Sequence, residues 1–389
     1  MQRRFKVAVL AACPFPSHQG TQVFVRHLAE AQSDAGHHVE LLSYDYGDGT
    51  KPSAFIHHRA PSLNAGLRSG PSLKRLVNDT TLAIKTRRVV SRGNFDVLHA
   101  HNVEGLLIGV ALKASGLKIA LIYHAHNTMK DELPTYFSRV VTRFCASIAG
   151  KAFDLTAPRM ADAVIVFDRY QRELQIRSGV KPEKVFVVAP SLKSEELRET
   201  KARNVCLPEG RFLVYSGNPD GYQNLELLWS AFEGLRALRL DVKLLILSRA
   251  HLGDFGPNAE SLVAEGAACF RQYQSREEMV GYLKRAEIGL STRTLSTGFP
   301  VKLINYVQLG LKAVVVADSV SAPAPTGVWL AGAGVESFIS ALVAALDSPG
   351  PSASLENQGL MQMSTKPYDE VYGAVIKQLT SETFPEQLS

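Results

Sequence analysis

The feature that most restricts how this chain can fold is a repeating rhythm. Short, mostly apolar runs recur along it: "KVAVLAA" at 6–12, "HHVELLSY" at 37–44, "FDVLHAH" at 95–101, "KIALIYHAH" at 118–126, "ADAVIVFD" at 161–168 and "KVFVVAP" at 184–190. Runs of this kind suit strands buried on both faces of a sheet. Between them lie stretches with helical spacing. In "QVFVRHLAEAQSDAG", Phe24, Leu28, Ala31 and Ala35 fall three or four residues apart, and Gly36 closes the segment. The stretches 71–92 and 104–116 read the same way. Strands that alternate with helices make a parallel α/β sheet.

The rhythm restarts after a polar, charged linker at 189–210. "RFLVYSGN", "VKLLILSR", "EIGLSTR" and "KAVVVAD" read as strands; 225–238, 275–286, 300–310 and 335–346 read as helices. A further amphipathic helix, "KPYDEVYGAVIKQLT", follows at 366–380. With 389 residues and about 150 residues per domain as a prior, two α/β units are expected. Ligands of open parallel sheets sit beyond the carboxyl ends of the strands, and two such sheets facing each other would enclose a cleft between them.

Composition removes several classes. Hydrophobic content of 46% and charged content of 21% fit a folded chain rather than a disordered one. Cys13, Cys145, Cys206 and Cys269 form no CxxC pair, so reduced thiols in a cytoplasmic protein are expected. The net charge is +6. Much of it is local, at Lys85, Arg87, Arg88, Arg92, Arg139 and Arg143. A solvated helix face explains this, and contact with an anionic membrane is the sharper alternative. No nucleic-acid-binding pattern is present, so no nucleic-acid partner is expected. "MQRRFKVAVLAAC" resembles a lipoprotein leader, but its apolar run opens a strand–loop–helix unit and is read as β-strand.

Four places carry candidate chemistry. Gly20 and Thr21 lie where the first helix begins, and backbone N–H groups there can meet an anion. "LHAHN" and "YHAHN" place His99, His101, His124 and His126 at two strand ends. These four read as zinc ligands, as satisfied edge histidines, or as a polar catalytic group. Asn127, Asp131 and Glu132 follow on a loop fit to meet an acceptor. The stretch "STRTLSTGFPVKLINYVQLG" at 291–310 is the most informative. Arg293 ends a strand, Thr297, Gly298, Phe299 and Pro300 form a tight loop, and Lys302 sits in the first turn of the next helix. A cation there opposes the helix dipole. That cost is offset if a diphosphate is shared between the helix N–H groups, Lys302 and Arg293.

Taken together, 7–44, "FDVLHAHN", "IYHAHNTM", "LVYSGN" and "GFPVKLINYVQLGLKAVVVAD" resemble retaining nucleotide-sugar glycosyltransferases of the GT-B fold, family four. The resemblance implies two Rossmann-like parallel-sheet domains facing a central cleft. It assigns 1–190 to the acceptor, 191–365 to the nucleotide sugar, and 366–381 to a helix packing back on the first domain. It implies that His124 bonds the donor sugar, and that Gly20, Thr21, Gly217 and Asn218 line the donor site. The basic residues usual after the "YSG" strand are replaced by Asn218 and Gln223. The usual paired glutamates fall on Thr297 and Asn305. Arg293 and Lys302 are therefore expected to rebuild the diphosphate grip, with no metal and no cofactor. The implied reaction moves a sugar from a UDP-sugar, or second GDP-mannose, to a glycan or lipid-linked acceptor at the inner membrane face. The neutral replacements motivate the alternative, a GT-B scaffold that binds a partner without turnover.

Overall fold

The computed structural model describes residues 3–17, 20–47, 49, 52–66, 70–188, 207, 209–239, 241–294, 301–320, 326–349 and 365–383. Thr297, Gly298, Phe299 and Pro300, Cys206 and most of the expected linker lie outside the described residues.

The chain divides into two compact units, residues 1–190 with 363–389, and residues 191–362. The first is built on a parallel sheet of seven strands in the order β3-β2-β1-β4-β5-β6-β7. These are β1 (Lys6–Ala11), β2 (His38–Tyr44), β3 (Ile56–Ala60), β4 (Val97–His101), β5 (Ala120–His124), β6 (Ala163–Val166) and β7 (Val185–Val187). The helices are α1 (Gly20–Asp34), α2 (Leu73–Gly93), α3 (Asn102–Ala114), α4 (Met129–Glu132), α5 (Val140–Thr156) and α6 (Arg169–Arg177). Val7, Ala8, Val9 and Leu10 are fully buried, because helices cover both faces of the central strand. Register matters for the site. Ala11 pairs with His101, and His101 with His124, so β1, β4 and β5 end at one level.

The second unit repeats the plan with six parallel strands in the order β10-β9-β8-β11-β12-β13. The strands are β8 (Arg211–Ser216), β9 (Val242–Ser248), β10 (Ala268–Gln272), β11 (Ile288–Ser291), β12 (Lys312–Val316) and β13 (Val328–Ala331). The helices are α7 (Leu225–Leu238), α8 (Pro257–Ala264), α9 (Arg276–Leu283), α10 (Val301–Gln308) and α11 (Val335–Asp347). Gly289 in β11 lets Tyr306 of α10 lie against the strand. A Cβ there would meet the tyrosine ring at 2.5 Å.

A last helix, α12 (Lys366–Thr383), belongs to the first unit. Its Tyr368, Val371, Tyr372 and Val375 are buried. Among the described residues, no helix is long and apolar enough to cross a membrane.

Candidate active site

In the first unit the two "HAHN" strand ends bring four histidine rings into one stack. Ring centroids are 4.5 Å apart for His99–His101, 5.3 Å for His99–His124 and 4.9 Å for His124–His126. Phe24 of α1 meets His101, His124 and His126 edge-on. A chain of hydrogen bonds fixes the protons. Gln32 Nε2 donates to the Tyr372 hydroxyl at 2.6 Å. That hydroxyl is then free to donate to His99 Nδ1 at 2.7 Å. His99 Nε2 carries the proton and donates to His124 Nδ1 at 3.3 Å. His124 Nε2–H is left buried and without an acceptor among the described residues. A buried donor of this kind costs about 1–3 kcal/mol until something accepts from it, which a sugar hydroxyl oxygen can do.

Burial, reinforced by neighbouring rings, keeps the cluster neutral. His99 and His126 are pushed down to about 3, and His101 and His124 lie well below their ordinary value. His126 retains slight exposure where His124 has none. Sequence reading passed it over in favour of His124. Ring nitrogens of His99, His101 and His124 lie within 4.8 Å of one another. The His99 and His124 rings are nearly parallel, 4° apart, and hydrogen-bonded to each other. Zinc at a catalytic site takes three protein ligands, and holding it here would break that hydrogen bond.

Asn127, Asp131 and Glu132 are committed locally. Asn127 Nδ2 donates to Glu132 Oε2 at 2.5 Å, Tyr136 also donates to Glu132, and Thr128 donates to Asp131 at 2.9 Å. Asp154 of α5 accepts from the N–H groups of Met129 and Lys130, which fixes the start of α4. Sequence reading missed Glu104, in the first turn of α3. Burial, together with Asp79 and Glu132, raises its carboxyl to about 7. Its only signal was its place two residues after "HAHN". Gly20 and Thr21 begin α1, as placed from sequence; Gly20 is exposed.

In the second unit the site forms where β8 ends. Gly217 follows the strand at φ 152°, a conformation open to glycine. A Cβ there would lie 3.2 Å from Lys302 Nζ. Lys302 projects from the start of α10, donates to Gln223 Oε1 at 2.8 Å, and lies over the Tyr215 ring at 4.2 Å. Arg293 lies over Tyr222 at 5.1 Å. Burial, then repulsion from Arg293, lowers Lys302 to about 7, with Asp220 opposing. The expectation of a permanent second charge is thereby modified: near neutrality the amine is poised between its two forms. Asn218 accepts from Tyr215 and Ser248, at 3.2 Å and 3.3 Å. Asn305 lies three residues beyond Lys302 on the same helix and is half-buried. The aromatic platforms Tyr215 and Tyr222 were not foreseen, although both stand in the same loop-flanking stretch, "YSGNPDGY".

Residues 18–196 match the model of Glycosyltransferase Family 4. The chain has the GT-B fold, and the match to that family lies almost wholly in its first unit. No curated protein sequence matches it. Solved structures do. Sucrose-phosphate synthase from Thermosynechococcus elongatus is 17% identical, with 97% of this chain and 100% of that chain covered at a TM-score of 0.73. WaaG, a glycosyltransferase involved in lipopolysaccharide biosynthesis, is 15% identical over 97% and 99% of the chains, at 0.64. HepE from Anabaena, solved in complex with UDP and glucose, is 12% identical over 98% and 99%, at 0.63. At these identities the likeness speaks for the fold alone.

Proposed function

We propose that the enzyme transfers a sugar, with retention of configuration, from a nucleotide-diphosphate donor to a glycan or lipid-linked acceptor. UDP-sugar is the first donor expected and GDP-mannose the second. The acceptor reading places the enzyme at the cytoplasmic membrane face, in cell-surface polysaccharide or glycolipid synthesis. One observation carries the donor reading: Lys302, Gln223, Gly217 and Arg293 gather where β8 and β11 end in a Rossmann-like unit. An amine held near its titration point, beside a backbone with no side chain, suits an arriving diphosphate. The anion would draw the proton onto Lys302. HepE, which was solved with UDP, supports UDP as the nucleotide.

In the proposed step, the bond between the anomeric carbon and the diphosphate oxygen breaks. A bond to the acceptor oxygen forms on the same face. The acceptor proton passes to the departing phosphate oxygen. Lys302 and Arg293 stabilise the charge that develops on the leaving group, and His124 Nε2–H bonds a sugar hydroxyl. These cations take the part a metal plays elsewhere, so the proposal contains no metal and no cofactor.

Thermal-shift titration of the full chain with UDP-, GDP- and ADP-sugars tests the reading. A true donor stabilises according to RT ln(1 + [L]/Kd), and its nucleotide is released on incubation. Lys302→Met and Arg293→Ala should each lower that release by about 10²-fold or more. Full activity in both variants would sink the rebuilt diphosphate site. Stabilisation by nucleotide without any release would favour the binding scaffold.

A further inference from the structure

Helix α5 is inverted. A surface helix ordinarily turns its large apolar side chains inward. The buried line of α5 is instead Ala146, Gly150 and Asp154, small or polar residues at four-residue spacing. Its large apolar residues Val140, Val141, Phe144 and Ile148 face outward; Val140 is 82% exposed and Phe144 67%. They fall within an arc of about 100°. The close packing beneath explains why the helix is not simply turned over. Gly150 lies so near α4 that a Cβ would meet the Met129 carbonyl oxygen at 2.2 Å.

Helix α2 behaves alike. Leu73, Leu76, Val77 and Ile84 form an outward stripe, with Leu73 83% exposed. The two stripes begin near each other: Gly70, just before α2, sits against the ring of Tyr136, just before α5. Eight of the seventeen exposed large apolar side chains among the described residues lie on these two helices, so the exposure is a patch rather than the usual scatter.

Charge decides what covers it. Helix α2 carries six basic residues and one acidic, and residues 139–156 carry three and one. Together they hold seven net positive charges, against +6 for the whole chain. Arg88, Arg92, Arg139, Arg143 and Lys151 form no ion pair among the described residues. A second copy would bring the same charges face to face and be repelled. Aliphatic side chains ringed by unpaired cations match an anionic bilayer surface, where the apolar stripe enters the headgroup boundary and the cations meet lipid phosphates.

We propose that the α2–α5 face of the first unit docks on anionic phospholipid. This deepens the acceptor reading above, since a lipid-linked acceptor lies at such a surface. The test contains no sugar donor, so its failure would leave the transfer reading untouched. The full chain is sedimented with phosphatidylcholine vesicles, and with vesicles in which about a third of the lipid is phosphatidylglycerol. Binding is expected to the anionic vesicles only, and to weaken steeply with salt. Arg139→Ala with Arg143→Ala should weaken it at least about tenfold. Val141→Asp with Phe144→Asp should abolish it without lowering the melting temperature, because both side chains are exposed. Equal binding to both vesicle types, no binding to either, or unchanged binding by the aspartate variant would each overturn the proposal. So would a wild-type dimer that the aspartate variant dissociates, which would assign the face to a second copy.

Discussion

Lys302 is the residue at which the electrostatics are most open to measurement. Its ammonium form is the one proposed to bind a diphosphate, and burial beside Arg293 lowers the amine to about 7. Below that pH the group is already charged, and nucleotide affinity should be flat. Above it, binding must also take up a proton, so affinity should fall by up to about tenfold per pH unit. Calorimetric titration of UDP from pH 6 to 9 would show the bend, and Lys302→Arg, which stays charged, should remove it. A wild-type profile without a bend would mean that Lys302 does not meet the phosphates. Substitution of the histidines should cost stability. His126, buried against Phe24, His124 and Phe167, should lose about 1–3 kcal/mol on change to Ala. His124, fully buried in the ring stack, should lose about 1–3 kcal/mol of stability as well.

Elements differ in how plainly the sequence announces them. Strands β4, β5 and β12 are buried throughout, and β1 and β8 in all but their first residue, so their apolar runs stand out in the chain. Strands β3 ("IHHRA"), β10 ("ACFRQ") and β13 ("VWLA") escaped sequence reading for a physical reason. All three lie at the edges of their sheets and are partly exposed, so no long apolar run is required of them. Helix α5 escaped because its pattern runs backwards, with the apolar stripe outside. The donor-side grouping of Arg293 and Lys302 was legible, since both flank one strand–helix junction. Gln223 as the partner of Lys302, and the proton chain from Tyr372 to His99, were not. They join residues 79 and 273 positions apart, and no local pattern encodes such a distance. Close approach between elements gives a further expectation. Gly150→Ala would place a Cβ 2.2 Å from the Met129 carbonyl oxygen, and Gly289→Ala one 2.5 Å from the Tyr306 ring. Each should cost about 1–3 kcal/mol. Urea unfolding would measure it, and a loss below ~0.5 kcal/mol in both would mean that the neighbours give way easily.

Across the molecule, ten of the eleven histidines fall within residues 1–190, and four of them form the neutral stack. Their folded values lie below the unfolded value of about 6.5. Above that pH they contribute no pH dependence. Below it the unfolded chain binds more protons, and stability falls by at most about 1.4 kcal/mol per histidine per unit, down to the folded values near 3. Acid should therefore open the first unit before the second. Hydrogen exchange at pH 5 and 7.5 would show protection lost first around β4 and β5; equal loss in α7 and β8 would contradict it. The same unit has another asymmetry, set by α12. Residues 191–362 form a continuous stretch and can fold as soon as they leave the ribosome. The first unit cannot complete itself then, although most of it is made earlier. Until Tyr372 arrives, His99 lacks its proton donor and Gln32 its acceptor. The part synthesised first is thus finished last, and for the time it takes to make the second unit, the histidine face of the first stands uncovered and is a natural client for a chaperone.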